Sequence, residues 1–392
     1  MVNHPSLFSH LQCSRCGKNY SPHQVYNTSP CCDQSLLARY ELDKPFDKRE
    51  LKEREKNLWR YAELLPVFKD ENRISLGEGY TPVMELKTLA NLSGLDSLWI
   101  KDESNNPTGS FKARGLCVAI SKAKELGIDA CIIPTAGNAG GAMAAYCAKA
   151  GIKAVVVMPS HTPEAFKDEC LWFGADLVLV NGLITDCAVK AKDINSDGKY
   201  FDVSTLKEPY RLEGKKTLGF EIAEQLDWTL PDVILYPTGG GTGLLGMWKA
   251  FHEMIELGWI NNKLPRMVAV QAENCQPVVE TWNGSRQMTS DYDGQATIAN
   301  GLAVPKPFAE KMIIDTLRES HGAAIAISDK EMIDGIKSLS KHEGLFVAPE
   351  GGALWPAAQK LFSNGWLKAD EKILMLNTGS GYKYVDAIRE LV

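Results

Sequence analysis

Residues 130–159, ACIIPTAGNAGGAMAAYCAKAGIKAVVVMP, set two apolar runs, 130–134 and 153–159, on either side of a glycine-rich turn and a stretch of small helix-forming residues. Both runs are apolar almost throughout instead of alternating, which is the pattern of parallel strands covered on both faces. The stretch between them closes on Gly151, the residue type that most often ends a helix. The unit therefore reads as strand, turn, helix, strand. The same alternation extends outward through LWIKDE (98–103), FKARGLCVAISKAKELG (111–127), FKDECLWFGA (166–175) and DLVLV (176–180). A second set runs from TLGFEIAEQLD (217–227) and DVILYPTGGG (232–241) through RMVAVQAE (266–273) to KILMLNTGSG (372–381). The prediction is an α/β fold of two doubly wound domains, with ligand bound in the cleft where the C-terminal ends of their strands meet. The expected boundaries are 1–40 for a small cysteine knuckle, 41–205 for the first α/β domain and 206–392 for the second.

Composition agrees. The 392 residues are 44% hydrophobic and 23% charged, with 43 basic and 49 acidic residues for a net charge of −6. That balance fits an ordinary globular chain and offers no basic footprint for nucleic acid. No apolar run reaches the roughly 18 residues of a membrane helix, and the first residues have no basic segment leading into an apolar core. A cytoplasmic protein with a small-molecule partner is expected. Six of the ten cysteines stand singly in apolar patterns, which suits reduced buried thiols. The other four fall in CSRCGKNY (13–20) and SPCCDQ (29–34). Cys13 and Cys16 have the spacing of a zinc pair, but Cys31 and Cys32 are adjacent and reach a shared ion only through a strained turn, with His23 a substitute ligand. Substoichiometric zinc or no metal is expected, with little effect of chelators on catalysis. The stretch FDKRELKEREKNLWRYAELLPV (46–67) mixes both charges at helical spacing, as a solvated helix face does.

Chemistry concentrates at the glycine-rich strand ends. In PTGGGTG (237–243), Gly239, Gly240, Gly241, Thr242 and Gly243 join a strand to a helix, so backbone N–H groups can crowd round an anion at a positive dipole end. This is a phosphate cradle without the lysine of a nucleotide loop or the spacing of a dinucleotide fingerprint. In TAGNAGG (135–141), Asn138 sits where its amide serves either to cap the helix or to hydrogen-bond a ligand oxygen. Thr378 ends a strand in NTGSG (377–381) and offers a neutral hydroxyl. Lys112, in NNPTGSFKARG (105–115), follows a turn at a helix start; an amine desolvated there loses its charge more readily and becomes a nucleophile.

Taken together, NPTGSFKARG, TAGNAGG, PTGGGTG and NTGSG resemble the pyridoxal-phosphate enzymes of the tryptophan-synthase-β type, fold type II. LWRYAELLPV (58–67), ISLGEGYTPV (74–83) and YRLEGKKTLGFE (210–221) are similar to the threonine synthases within that superfamily, whose archaeal and bacterial members have a comparable cysteine-bearing start. The resemblance implies that Lys112 holds the aldehyde of pyridoxal 5'-phosphate as a Schiff base and Asn138 bonds the ring's 3' oxygen. It also implies that the 239–243 loop takes the phosphate and Thr378 faces the ring nitrogen. A neutral hydroxyl there does not hold a pyridine proton, which suits elimination and replacement more than transamination. The implied activity is a homodimeric lyase of threonine biosynthesis that turns O-phospho-L-homoserine and water into L-threonine and phosphate. One departure stands out: this chain has Ala136 and Ala139 where a threonine synthase carries serine or threonine around its asparagine loop, and GNAG is closer to the serine and threonine dehydratases, the alternative activity. A phosphate leaving group needs cations, and STLKEPYRLEGKKT (204–217) supplies Lys207, Arg211, Lys215 and Lys216. Arg211, whose planar fork matches phosphate oxygens, and Lys215 are the expected substrate-binding residues.

Overall fold

A computed structural model describes residues 4–43, 46–288 and 290–389. Two sheets carry the fold. The larger has six strands in the order Ala323–Ile327, Arg266–Ala272, Val233–Pro237, Lys372–Asn377, Ser97–Asp102, Val83–Glu85. All neighbours are parallel except the edge strand Val83–Glu85, which runs antiparallel to Ser97–Asp102. The smaller is fully parallel, in the order Asp176–Val180, Lys153–Pro159, Ala130–Pro134, Phe201–Asp202. The strands 130–134 and 153–159 that open the sequence reading are neighbours, with Ile132 opposite Val155.

The division at residue 205 needs correction. Strands Val83–Glu85 and Ser97–Asp102 do not belong with the 130–202 sheet; they complete the sheet of the C-terminal half. Apolar runs state that a strand is buried, not which strand it pairs with, and the pairing here spans most of the chain. Asn377 lies opposite Asp102, and the Asn377 amide donates to Asp102 Oδ1 at 2.7 Å in a buried contact. After a separate three-stranded sheet of Phe8–Cys13, Asn19–Tyr20 and Leu36–Tyr40, the chain thus enters the large sheet, builds the small one as an excursion, and returns.

The charged stretch 46–67 also differs from its expectation of a solvated helix. It forms two short 3₁₀ turns, Lys48–Glu53 and Leu58–Leu64. A few of its charges are taken inward: Arg60, 4% exposed, pairs with Glu224 at 2.6 Å, and Arg54 pairs with Glu63 at 2.7 Å, while Arg49, Glu50, Lys52, Glu53, Glu55 and Lys56 stay exposed. Partners supplied by the tertiary fold bury those few charges, and the rest of the polar face remains solvated.

One helix contact positions the site. Helix Lys112–Glu125 crosses helix Tyr210–Gln225 so closely that a Cβ on Gly214 would lie 2.0 Å from the Arg114 carbonyl oxygen. Between them Arg114, fully buried, reaches Glu103 at 2.5 Å and Glu221 at 2.6 Å, while Lys101 reaches Glu221 at 2.9 Å. Two carboxylates and two cations so placed orient the helix that begins with Lys112.

Candidate active site

The C-terminal ends of strands from both sheets open on one cavity of about 370 Å³. Its wall includes Lys112, Asn138, Gly239, Gly240, Gly241, Thr242 and Thr378. Residues spread over more than 260 positions of sequence are thereby brought to a single surface.

Lys112 is the first residue of its helix. The preceding turn, Pro107–Gly109, carries Thr108 in left-handed backbone at φ 61°. That turn is pinned to the loop after the central strand: Phe111 N–H donates to the Thr378 carbonyl at 3.0 Å, and Ser380 N–H to the Gly109 carbonyl at 2.9 Å. The lysine and Thr378 are therefore held by one small bridge. Burial, aided by the Arg211 charge and opposed by Glu350, pulls the Lys112 amine down to about 8. Close to half of it is neutral, and so nucleophilic, near that pH.

Asn138 is the first residue of helix Asn138–Ala150, with Gly137 in the cap position expected for Asn138. Its amide is therefore free of capping; Nδ2 donates to Tyr384 Oη at 3.3 Å and Oδ1 accepts from Lys383 at 3.1 Å. The glycine loop is a tight cradle. Gly241 caps helix Thr242–Glu256 at φ 75°, and a Cβ on Gly239 would lie 2.2 Å from the Gly301 carbonyl oxygen. Among the described residues, no acceptor faces the N–H groups of Gly239, Gly240 and Gly241, which leaves three donors for an anion. Gly243 does not line the cavity. A Cβ there would lie 2.2 Å from Tyr236 Oη, so this glycine serves packing of helix on strand.

The two residues expected to bind substrate are elsewhere. Arg211 and Lys215 lie in helix Tyr210–Gln225, fully or nearly fully buried, and neither lines the cavity. Arg211 donates to the Val203 carbonyl at 2.6 Å, and Lys215 donates to the Phe111 carbonyl, one residue before Lys112. They act on Lys112 from behind. In their place Lys207 and Lys306 line the cavity. Lys207 lies 5.7 Å from the Phe308 ring and Lys306 pairs with Asp291.

Sequence reading also missed Glu350. Its carboxyl lines the cavity, buried, with Oε1 accepting from Gly301 N–H at 2.7 Å and from Tyr384 Oη at 3.0 Å, while Oε2 has no partner. Burial raises its pKa. A lone acid inside the apolar run LFVAPEGGALW was the available signal. Because Arg211 lowers the Lys112 amine and Glu350 raises it, their removal has opposite signs. In cofactor-free protein, the pH midpoint for modification of Lys112 by an amine reagent is expected to rise above 8 in Arg211→Met and to fall below it in Glu350→Gln, read by peptide mapping. Shifts in one common direction would contradict the arrangement.

Three convergent N–H donors, a depressed lysine and a neutral hydroxyl facing one cavity define an enzyme of the pyridoxal-phosphate class. The chain belongs to the pyridoxal-phosphate dependent enzyme family, which matches residues 74–379. Within it the chain groups with the threonine synthases. It is 34% identical to the threonine synthase of Methanocaldococcus jannaschii over 381 residues, 96% of this chain and 93% of that one. It is 34% identical to that of Methanosarcina acetivorans over 372 residues, 94% and 91% of the two chains. In fold it is similar to diaminopropionate ammonia lyase from Escherichia coli, with a TM-score of 0.68 and 19% identity over 98% of each chain. The cofactor is pyridoxal 5'-phosphate, and the cavity fits it: the unpaired N–H groups suit its phosphate, and the close approach of Gly239 to the Gly301 carbonyl leaves that loop no room for a side chain. No helix among the described residues is long and apolar enough to cross a membrane.

Proposed function

We propose that the protein is a threonine synthase, acting on O-phospho-L-homoserine and water to form L-threonine and phosphate. The observation that carries this reading is a pair of further cations: Lys207 and Lys306 line the same cavity as Lys112. A dehydratase expels hydroxide and has no use for two such lysines. In this reading Lys112 forms the link to the cofactor, the 239–242 loop holds its phosphate, Asn138 meets its 3' oxygen and Thr378 its ring nitrogen. When bound, the cofactor withdraws electrons from the substrate's Cα. The rest falls to the side chains. Lys112 Nζ, neutral near pH 8, takes the Cα proton, would pass it to the bound cofactor, and once neutral again takes a Cβ proton. Lys207 and Lys306 stabilise the phosphate as its bond to Cγ breaks, Lys306 exchanging its Asp291 partner for the leaving group. Lys112 returns the Cβ proton to Cγ, water adds its hydroxyl at Cβ while its other proton goes to the released phosphate, and the first proton returns to Cα through Lys112. Arg211 and Lys215 keep a role at one remove, holding Lys112 in place and poised to lose its proton.

One feature favours dehydration as a second reading. Ala136 and Ala139 line the cavity without hydroxyls, so at those two positions the loop offers a substrate carboxylate its backbone only. The deciding assay measures phosphate release from phosphohomoserine beside keto-acid formation from serine and threonine. Phosphate release with threonine formed is expected; efficient keto-acid formation without it would give the assignment to a dehydratase. Lys207→Ala should raise KM for phosphohomoserine about tenfold, roughly 1.4 kcal/mol, without altering cofactor absorbance. A homodimer, a cytoplasmic location and a place in threonine biosynthesis belong to the same reading and rest on the family resemblance; sedimentation tests the first.

A further inference from the structure

The sulfurs of Cys13, Cys16, Cys31 and Cys32 converge, all lying within 4.8 Å of one another. The adjacent pair thus shares a site with the first, through the kind of turn expected of it. Two turns bring them together. After Cys16 the chain folds back through Gly17, at φ 75°, whose N–H donates to the Cys13 carbonyl at 3.0 Å. Cys31 and Cys32 occupy a single turn closed by Asp33 N–H on the Ser29 carbonyl at 2.8 Å, and Asp33 itself takes left-handed backbone at φ 50°. The strain anticipated for that pair is absorbed at Asp33. Four sulfurs around a tetrahedral zinc, each about 2.3 Å from it, stand about 3.8 Å from one another. The observed spread, with Cys16 and Cys31 sulfurs at 3.3 Å, is one small adjustment away.

We propose that this knuckle binds one zinc ion through the four cysteines, and that the ion secures a wall of the active-site cavity. On binding, the ion replaces four S–H protons, which pass to solvent, and no oxidation is involved. The link to the cavity is direct. Asn27, four residues before Cys31, donates to the carbonyls of Asp202 at 2.6 Å and Lys207 at 3.2 Å. Ser35, three residues after Cys32, donates to the Leu206 carbonyl at 2.8 Å. The segment so held contains Leu206 in left-handed backbone at φ 59°, a conformation a leucine does not keep unaided. Ser204, Thr205 and Lys207 of that segment line the cavity. Loss of the ion therefore reaches the site, although its ligands stand 80 to 99 positions before Lys112.

The test needs no substrate, so its outcome is separate from that of the threonine synthase reading. Elemental analysis of the purified holoenzyme should find about one zinc per chain, retained on dialysis. Replacement by cobalt should give thiolate-to-metal charge-transfer absorption, and Cys31→Ser and Cys32→Ser should each lose most of the metal. Should those variants fail to fold, metal content and the cobalt spectrum of the unaltered chain decide. Removing the ion with a chelator should speed amide exchange in 203–208 about tenfold or more, while Ile132 and Val155 in the small sheet keep their protection. An absence of metal, iron in place of zinc, or a Cys16–Cys31 disulfide would overturn the site. Unchanged exchange in 203–208 would overturn its hold on the cavity wall.

Discussion

Lys112→Ala is expected to lower kcat for phosphate release from phosphohomoserine by about three orders of magnitude or more, while the protein still takes up pyridoxal phosphate. The two halves of that expectation come from different residues. Turnover needs an amine at the start of helix Lys112–Glu125, where the bridge between Ser110 and Gly379 fixes its origin and burial brings its pKa to about 8. Retention of the cofactor needs the N–H donors of Gly239, Gly240 and Gly241, which the substitution leaves untouched. The measurement is borohydride reduction followed by denaturing dialysis and peptide mapping. The unaltered enzyme should keep the cofactor on the peptide containing Lys112, and the variant should release all of it. Fixation on another lysine, or near-normal turnover in the variant, would remove Lys112 from the chemistry.

The second large effect is on stability. Arg114→Met should destabilise the protein by about 3–5 kcal/mol, because it leaves Glu103 and Glu221 buried with Lys101, bonded to Glu221, as the salt-bridge cation that remains among the described residues. Arg114 makes paired contacts to both carboxylates and also donates to Thr217 at 2.9 Å, so no water-filled space stands ready to replace it. The pH dependence follows with a definite sign. Burial alone would raise the Glu221 carboxyl, but Arg114 and Lys101 outweigh it and hold it down to about 2. A carboxyl lowered on folding contributes stability that is present above its ordinary value of 4.5 and lost as pH falls toward about 2. In Arg114→Met the carboxyls are raised instead, so stability should fall as pH climbs from about 5 to 7, where the unaltered protein is nearly flat. Adding Glu103→Gln to the variant should restore part of the loss. Denaturant titrations across that pH range measure all three quantities, and an unchanged midpoint in Arg114→Met would mean the network does not support the helix.

The sequence by itself determined the parts whose information is local. Near-continuous apolar runs ending in glycine-rich turns specify buried parallel strands that feed helices, and a chain of glycines at such a junction exposes N–H groups whatever surrounds it. The cradle at 239–242, Lys112 at a helix start and the α/β class were legible for that reason. Tertiary structure decided everything that depends on which surfaces meet. Lys207, Arg211 and Lys215 look alike in a basic stretch, yet the helix turn buries Arg211 and Lys215 against the back of Lys112 and leaves Lys207 at the cavity. Strand Ser97–Asp102 pairs with Lys372–Asn377 across the whole chain, a choice that no run of apolar residues encodes. Glu350 becomes part of the site through the Gly301 and Tyr384 contacts, and Cys31 and Cys32 reach Cys13 and Cys16 through the left-handed backbone of Asp33. Hydrophobicity and backbone propensity act over a few residues and can be read there. Ion pairing, desolvation and the meeting of side chains act through space, and their outcome is set once the chain has closed on itself.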